Sequence, residues 1–218
     1  MLALDRAPIP IGSVVPAIEA AAKAGIPVAT VGRVDTDKTV VQVACDDAEG
    51  GRLAARFIIE KLGNKGSVIE IEGAPGSPMT ADRKAGFEEG MKASGVKILA
   101  SEPASYDRAR ARNAMYDMIR KHPSFDAVFA ANDEMMIGAI EAMAMSSEDP
   151  SSKVTVGFDA IPAALQMLRS GMLDATIDCS FAEQSAWAVR YLVDHIRTGA
   201  APPRKTVLVA PRLVTEAP

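Results

Sequence analysis

Short apolar runs rich in β-branched residues alternate along the chain with longer segments of helical period. The apolar runs lie at residues 27–32, 40–45, 67–73, 97–104, 127–132, 154–159 and 175–179. Apolar residues recur at helical spacing at residues 15–25, 50–63, 80–95, 107–122, 134–146, 162–171 and 181–199. Such alternation is typical of βαβ units, in which helices connect parallel strands. The sequence therefore predicts an α/β protein with parallel sheets.

The composition narrows the classes of function. With 218 residues and 48% hydrophobic content, the chain can bury a sizeable core in one large domain or two small ones. A formal net charge of -4, with acidic and basic residues mixed, gives no electrostatic footprint for nucleic acid or an anionic membrane. No apolar run approaches the roughly 18 residues that cross a bilayer, and the N-terminus lacks the pattern of a signal peptide. We expect a folded protein whose partner is not a polyanion.

Signals of metal, cofactor or catalytic chemistry are missing from the sequence. The two cysteines and two histidines are not spaced as CxxC, HExxH or CxxCH, so we expect no metal site and no cofactor. The segment "GAPGSP" begins like a phosphate loop but lacks the Gly-Lys-Ser/Thr ending, which favours a turn. No nucleophile with an adjacent base and no paired catalytic carboxylates are recognisable, so an enzyme is not expected.

Polar side chains follow the ends of several predicted strands. They include Arg33, Tyr106, Asn132 and Asp159. The carboxyl ends of parallel strands meet at one edge of a sheet, where ligands of α/β proteins bind. Guanidinium, carboxylate, amide and aromatic groups together suit a neutral polyhydroxy ligand. For the run Asn132-Asp133-Glu134, capping of the following helix is an equally good explanation.

Longer segments resemble a known family. They read "IPVATVGR", "ACDDAEGGRLAARFI", "EGAPGSPMTADRKAGFEEGM", "FAANDEMMIGAIEAM", "TVGFDAIPAALQMLRSGMLDATI" and "PRLVT". In this order they resemble the periplasmic sugar-binding proteins of ABC transporters, in the ribose-binding type I class. The resemblance implies two doubly wound parallel-sheet lobes joined by a hinge, which close over a sugar in the cleft. It also implies a periplasmic location and delivery of a monosaccharide or polyol to a membrane permease.

The resemblance assigns ligand contacts to five residues. These are Arg33, Arg83, Tyr106, Asn132 and Asp159. By the same resemblance, the two arginines bind ring or hydroxyl oxygens, the aspartate accepts from a pair of hydroxyls, the asparagine both donates and accepts, and the tyrosine stacks on the sugar. Asp133 and Glu134 are expected to serve as cap and first-turn residues of the helix.

The same alignment predicts where the lobes and hinges lie. An N-terminal lobe is expected at 1–44 with 180–206, and a C-terminal lobe at 45–179 with 207–218. The hinges are expected near Cys45, Cys179 and Thr206. For the two cysteines we favour buried free thiols, with a disulfide that restrains closure as the alternative.

The chain also departs from the family pattern. "MLALDRAPI" corresponds to the family's third strand, so the first lobe is expected to lack about two strand-helix units. A sheet without those neighbours exposes an edge, and we expect self-association or a partner. Gly32 stands where ribose-type members carry an acidic residue, which argues against ribose itself. Two further interpretations stay open: the effector-binding core of a LacI-type transcriptional repressor, and a truncated fragment that does not bind ligand.

Overall fold

The computed structural model describes residues 14–216, which form two compact units. Of the described residues, the first unit comprises 14–46 and Ser180–Ala210, and the second comprises Asp47–Cys179 and 211–216. The segment "MLALDRAPI", expected to correspond to the family's third strand, lies outside the described residues.

The first unit is built on a parallel three-stranded sheet among its described residues. Its elements are α1 (Val15–Lys23), β1 (Ala29–Val31), β2 (Val41–Cys45), α7 (Phe181–Thr198) and β8 (Thr206–Val209), the helix numbers following chain order. The strand order is β1-β2-β8, so β2 is the central strand and all five of its residues are buried. Val41 and Val43 pack with Ala188 of α7 and with Val209. Thr206 is the first residue of β8, and the division between the units falls after Ala210.

Apolar side chains remain exposed on this unit. Val31 of β1 and Leu208 of β8 lie on the two outer strands, and Leu208 is 51% exposed. Ile196, near the end of α7, is 62% exposed. Outer strands that carry exposed apolar side chains are prone to pair with another chain.

The second unit carries a six-stranded sheet. Its strands are β3 (Gly66–Glu72), β4 (Val96–Pro103), β5 (Ala127–Ala130), β6 (Val154–Phe158), β7 (Ala175–Asp178) and β9 (Arg212–Val214). Its helices are α2 (Asp47–Lys61), α3 (Pro78–Met91), α4 (Arg108–Lys121), α5 (Asp133–Met145) and α6 (Pro162–Ser170). The strand order is β4-β3-β5-β6-β7-β9, and all pairings are parallel except that of β7 with β9. The predicted α/β class with parallel sheets is confirmed, and β9 is an antiparallel edge strand that the sequence pattern did not predict.

Helices cover both faces of this sheet. Val128 packs in a core with residues of α4 and α5, whereas the ring of its neighbour Phe129 stacks on Phe87 of α3 at 4.4 Å. Successive strand residues point to opposite faces, so α3 lies across the sheet from α4 and α5. The sheet order changes direction at β3, between β4 and β5. Such a switch point is where the loops at the carboxyl ends of the strands open to bind ligands.

Two glycines bring α2 and α3 into backbone contact. A Cβ on Gly86 would lie 1.9 Å from the carbonyl oxygen of Ala48, and one on Gly51 would lie 2.2 Å from that of Arg83. Only glycine permits this approach. The start of α2, with Asp47, therefore lies against the turn of α3 that carries Arg83.

The two cysteines differ from the favoured expectation. Cys45 and Cys179 are both disulfide-bonded and almost fully buried, and the described chain has no free cysteine. The interpretation as two free thiols is therefore wrong. That a disulfide restrains closure stays a prediction.

A polar cluster lies between β3 and the outer strand β4. Ser101 Oγ is 2.6 Å from Glu70 Oε2 and 2.7 Å from Glu72 Oε1, and Lys84 Nζ donates to Glu72 at 2.6 Å. Burial raises the pKa of Glu70 to about 7. A hydroxyl has one proton and cannot donate to both carboxylates at once. A protonated Glu70 that donates to Ser101, which in turn donates to Glu72, satisfies both short contacts.

Candidate functional site

A buried arginine contacts several residues at the carboxyl ends of the strands of the six-stranded sheet. Arg83 is 2% exposed; its Nε donates to Asp47 Oδ1 at 2.9 Å, and its Nη1 lies 3.5 Å from Asp159 Oδ1. Nη1 also donates to the carbonyl oxygen of Ala131, and Nη2 lies 3.2 Å from Met79 Sδ. All three nitrogens of the guanidinium therefore contact acceptor atoms of the protein itself. The thioether sulfur of Met79 is the weakest of these acceptors.

The electrostatics of this arginine follow from its two carboxylate neighbours. Burial alone lowers the pKa of the Arg83 guanidinium, but the charges of Asp159 and Asp47 outweigh it and hold the pKa above its ordinary value. The guanidinium carbon also lies 3.6 Å from the ring centroid of Phe158, a cation–π contact. The guanidinium is thus a fixed cation that contacts both carboxylates.

Asp159 lies in the loop between β6 and α6. Its side chain is 20% exposed, against 3% for Arg83 and 5% for Asp47. Its backbone has φ of 102° and that of Ala160 has φ of 51°, both unusual for residues with a Cβ. The N–H of Asp159 donates to the carbonyl oxygen of Ile177 in β7 at 2.7 Å. The loop therefore holds the carboxylate over Arg83 in a conformation that it would rarely adopt unaided.

Asn132 follows β5 beside Ala131, whose carbonyl accepts from Arg83. Its Oδ1 accepts from the N–H of Met135 at 2.9 Å, so Asn132 is the N-cap of α5. Within the described chain, no hydrogen bond from its amide nitrogen is seen. The oxygen thus serves the helix, and the NH₂ group is the part of the side chain available to a ligand.

Tyr106 lies at the start of the loop that leads to α4. Its hydroxyl is 2.7 Å from Thr80 Oγ1, and it has a left-handed φ of 62°. Burial raises the pKa of its phenol, while the positive charge of Arg83 acts in the opposite sense. A Cβ on Gly73 would lie 2.2 Å from Tyr106 Cζ, so the ring covers the backbone at the end of β3. The phenol therefore lies close enough to Arg83 for that positive charge to act on it.

Four of the five predicted site residues thus belong to one edge of the second unit. The fifth, Arg33, follows β1 in the first unit and is half-buried. Its role as a ligand contact stays a prediction.

Sequence reasoning missed two buried carboxylates. Asp47 is 4% exposed and pairs with Arg83, yet in the sequence it is one of two adjacent aspartates after a strand. The sequence predicts Asp133 as a cap of α5, but the cap is Asn132. The Asp133 side chain is instead fully buried and hydrogen-bonded to residues of other elements. The signal for both was their position directly after a predicted strand. Glu134 is exposed in the first turn of α5, as expected.

Comparison with known proteins decides the family. Residues 8–201 match the periplasmic binding protein domain. The chain belongs to this family.

The relatives within the family are sugar-binding proteins by name. The ribose import binding protein RbsB of Escherichia coli (strain K12) is 38% identical over 162 residues, which cover 74% of this chain and 54% of that protein. The D-allose-binding periplasmic protein of the same organism is 33% identical over 163 residues, which cover 74% of this chain and 52% of that protein. The chain spans about half the length of the curated relatives it matches.

A solved structure supports the same fold. The periplasmic solute-binding protein of an ABC transporter from Actinobacillus succinogenes, with bound D-allose, superposes with a TM-score of 0.84 at 29% identity. The match covers 93% of this chain and 73% of that one. The predicted resemblance to type I periplasmic binding proteins is therefore confirmed at the level of family and fold.

Two further findings bear on the class of protein. Across residues 14–216, none of the helices has the length and apolar character needed to span a membrane. In the same range, no three side chains of His, Cys, Asp or Glu are grouped so that they could hold a metal ion.

Proposed function

We propose that this chain binds a monosaccharide or polyol as the solute-binding component of an ABC transporter, and that it acts by binding rather than catalysis. The observation that carries the proposal is the buried Arg83 with its two carboxylates at the switch point of the second sheet. Asp159, Asn132 and Tyr106 surround it and supply an acceptor, a donor and an aromatic face. The names of the relatives, which bind ribose and allose, point to the same class of ligand.

The charges of the site favour a neutral ligand. The single cation of Arg83 is matched by the carboxylates of Asp47 and Asp159, so no net positive charge is left to attract an anion. Each hydroxyl that pairs with Asp159 or with the Asn132 amide replaces a water, and a mismatched hydroxyl leaves a polar group unsatisfied. That mismatch costs about 1–3 kcal/mol, enough to distinguish epimers. The ligand would reach Arg83 through Nη2, because a sugar oxygen is a better acceptor than the thioether of Met79.

Thermal-shift screening with pentoses, hexoses and polyols tests the proposal directly. At a hundred-fold excess over Kd, a bound ligand stabilises the folded state by about 2.7 kcal/mol, which a melting curve resolves easily. Asp159→Ala should abolish the shift. The matched control is Glu102→Ala, because Glu102 is an exposed carboxylate near the end of β4 in the same sheet. If no neutral sugar or polyol shifts the melting temperature, the proposal is wrong.

The transport role needs a second experiment. Genes for a permease and an ATPase beside the coding sequence would distinguish a transport receptor from a repressor core. By the same proposal, the protein works in the periplasm and its macromolecular partner is the permease. Arg33 would contribute a further donor to the ligand, and Arg33→Met should then weaken sugar binding without lowering the stability of the second unit.

A further inference from the structure

The inference concerns Asp133, a carboxylate that is buried beneath the loop of Asp159. It is the first residue of α5, and its side chain is 0% exposed. Its Oδ2 accepts from the backbone N–H of Ile161 at 2.9 Å, and its Oδ1 accepts from the hydroxyl of Thr176 in β7 at 2.7 Å. One carboxylate therefore ties the start of α5 to both the neighbouring loop and the neighbouring strand.

Thr176 extends this anchor to the next peptide. The same Oγ1 that donates to Asp133 accepts from the N–H of Ala160 at 3.2 Å. With the bond from Asp159 N–H to the carbonyl of Ile177, three consecutive peptide N–H groups of the loop are held from outside the loop.

The loop needs this support because of its backbone conformation. Asp159 and Ala160 both have positive φ, a strained conformation for residues with a Cβ that persists only where the surroundings impose it. Gly157 in β6 also leaves room for the Asp133 carboxylate. A Cβ on Gly157 would lie 2.1 Å from Asp133 Oδ1, so the strand can pass the carboxylate only as glycine.

We propose that Asp133 is the positioning residue of the sugar site: together with Thr176 it fixes the backbone of residues 159–161, and so aims the Asp159 carboxylate at Arg83 and at the ligand. The part that concerns the ligand rests on the proposed function. Asp133 itself touches no ligand, since its side chain has no exposed surface.

The ionised form of Asp133 is the one that fits this arrangement. Thr176 Oγ1 already accepts a hydrogen bond from the Ala160 N–H, so its own hydroxyl proton needs an acceptor, which the carboxylate provides. Burial raises the pKa of Asp133 to about 7, against the hydrogen bonds from Ile161 and Thr176 that lower it; the nearby Asp159 carboxylate raises it further. A backbone hydrogen bond from Phe158 also lowers it, so Ile161, Thr176, Phe158 and Asp159 are the groups that act on the carboxyl. Protonation places an O–H where Thr176 needs an acceptor, and Asp133→Asn does the same with an NH₂ group.

A matched pair of variants tests the role. Asp174 and Thr155 form a similar aspartate–threonine clamp before β7 and at the start of β6: Asp174 Oδ2 accepts from the N–H of Thr155 at 2.8 Å and from its hydroxyl at 3.1 Å. Asp174→Asn makes the same aspartate-to-asparagine change in a similar aspartate–threonine pair. That pair lies at the amino-terminal ends of β6 and β7, remote from Arg83. Asp133→Asn should raise the Kd for the sugar found in the screen at least tenfold at pH 8, and Asp174→Asn no more than twofold. Wild-type affinity should fall between pH 8 and pH 6, whereas that of Asp133→Asn should change much less.

Amide hydrogen exchange provides a readout that needs no ligand. Exchange at Ala160 and Ile161 should accelerate at least tenfold in Asp133→Asn and stay unchanged in Asp174→Asn. Thr176→Val, which removes only the hydroxyl, should accelerate exchange at Ala160 in the same way and serves if Asp133→Asn does not fold. Unchanged exchange in the Asp133 and Thr176 variants overturns the inference, as does a wild-type Kd in Asp133→Asn. If wild type binds no sugar, the proposed function fails alone, and the exchange data decide the positioning role.

Discussion

Replacing Arg83 by methionine should destabilise the second unit severely. The change removes hydrogen bonds to Asp47, Asp159 and the carbonyl of Ala131, together with the stacking on Phe158. It leaves the buried carboxyl group of Asp47 without its cation. Breaking a buried ion pair from one side typically costs about 3–5 kcal/mol, and we expect a loss in this range.

The control for this change is Arg52→Met in the neighbouring helix. Arg52 donates to Glu49 at 2.7 Å and to Glu89 at 2.9 Å, but its side chain is 32% exposed. Water screens such pairs, so the expected loss is below about 1 kcal/mol. The two variants thus compare the same chemical change in two degrees of burial.

Urea unfolding followed by far-ultraviolet circular dichroism measures both losses. Tryptophan fluorescence is unsuitable for this purpose, because Trp187, the single tryptophan, lies in the first unit. Adding Asp47→Asn to Arg83→Met removes the stranded charge and should recover about 1–3 kcal/mol. A loss for Arg83→Met as small as that for Arg52→Met, or no recovery in the double variant, would refute the view that Arg83 is a buried and fully engaged cation.

Three further predictions concern other parts of the chain. Burial raises the pKa of Glu70 from 4.5 to about 7, so the folded state retains a proton that the unfolded chain releases; the stability from this group is complete below about pH 4.5 and is lost as the pH rises to about 7. Glu70→Gln should flatten that decline in urea titrations at pH 5 and pH 8, and an unchanged slope would contradict the assignment. Cys45 and Cys179 should be inaccessible to a thiol reagent in unreduced, denatured protein and react fully after reduction; two reactive thiols before reduction would exclude the disulfide. Sedimentation velocity should show self-association that weakens in Leu208→Lys, and a wild-type monomer at all concentrations would rule it out.

The order of strands and helices was predictable because it depends on local pattern. Alternating apolar runs give the strands, and the end of a parallel strand is where polar residues such as Asn132 and Asp159 can meet. The strands after residue 205 were not predicted, because β8 and β9 follow each other without the helical segment on which the βαβ pattern depends.

Asp47 and Asp133 show why the rest of the site was not predictable. A carboxylate at a helix N-terminus looks like a cap in any sequence. Whether it is instead buried depends on partners far along the chain: Arg83 for Asp47, and Thr176 for Asp133. The need for glycine at positions of backbone contact, such as Gly86 against Ala48, can be recognised only once the packing of the helices is known.

The raised pKa values of Glu70 and Asp133 change the net charge of the folded protein in mildly acidic buffer. The formal net charge of -4 counts every carboxylate as ionised. With the pKa of each of these two groups raised to about 7, the folded protein below that pH carries up to two protons more than the count assumes. Its electrophoretic mobility in mildly acidic buffer should therefore be lower than the sequence implies, and unfolding should release those protons as a measurable uptake of base.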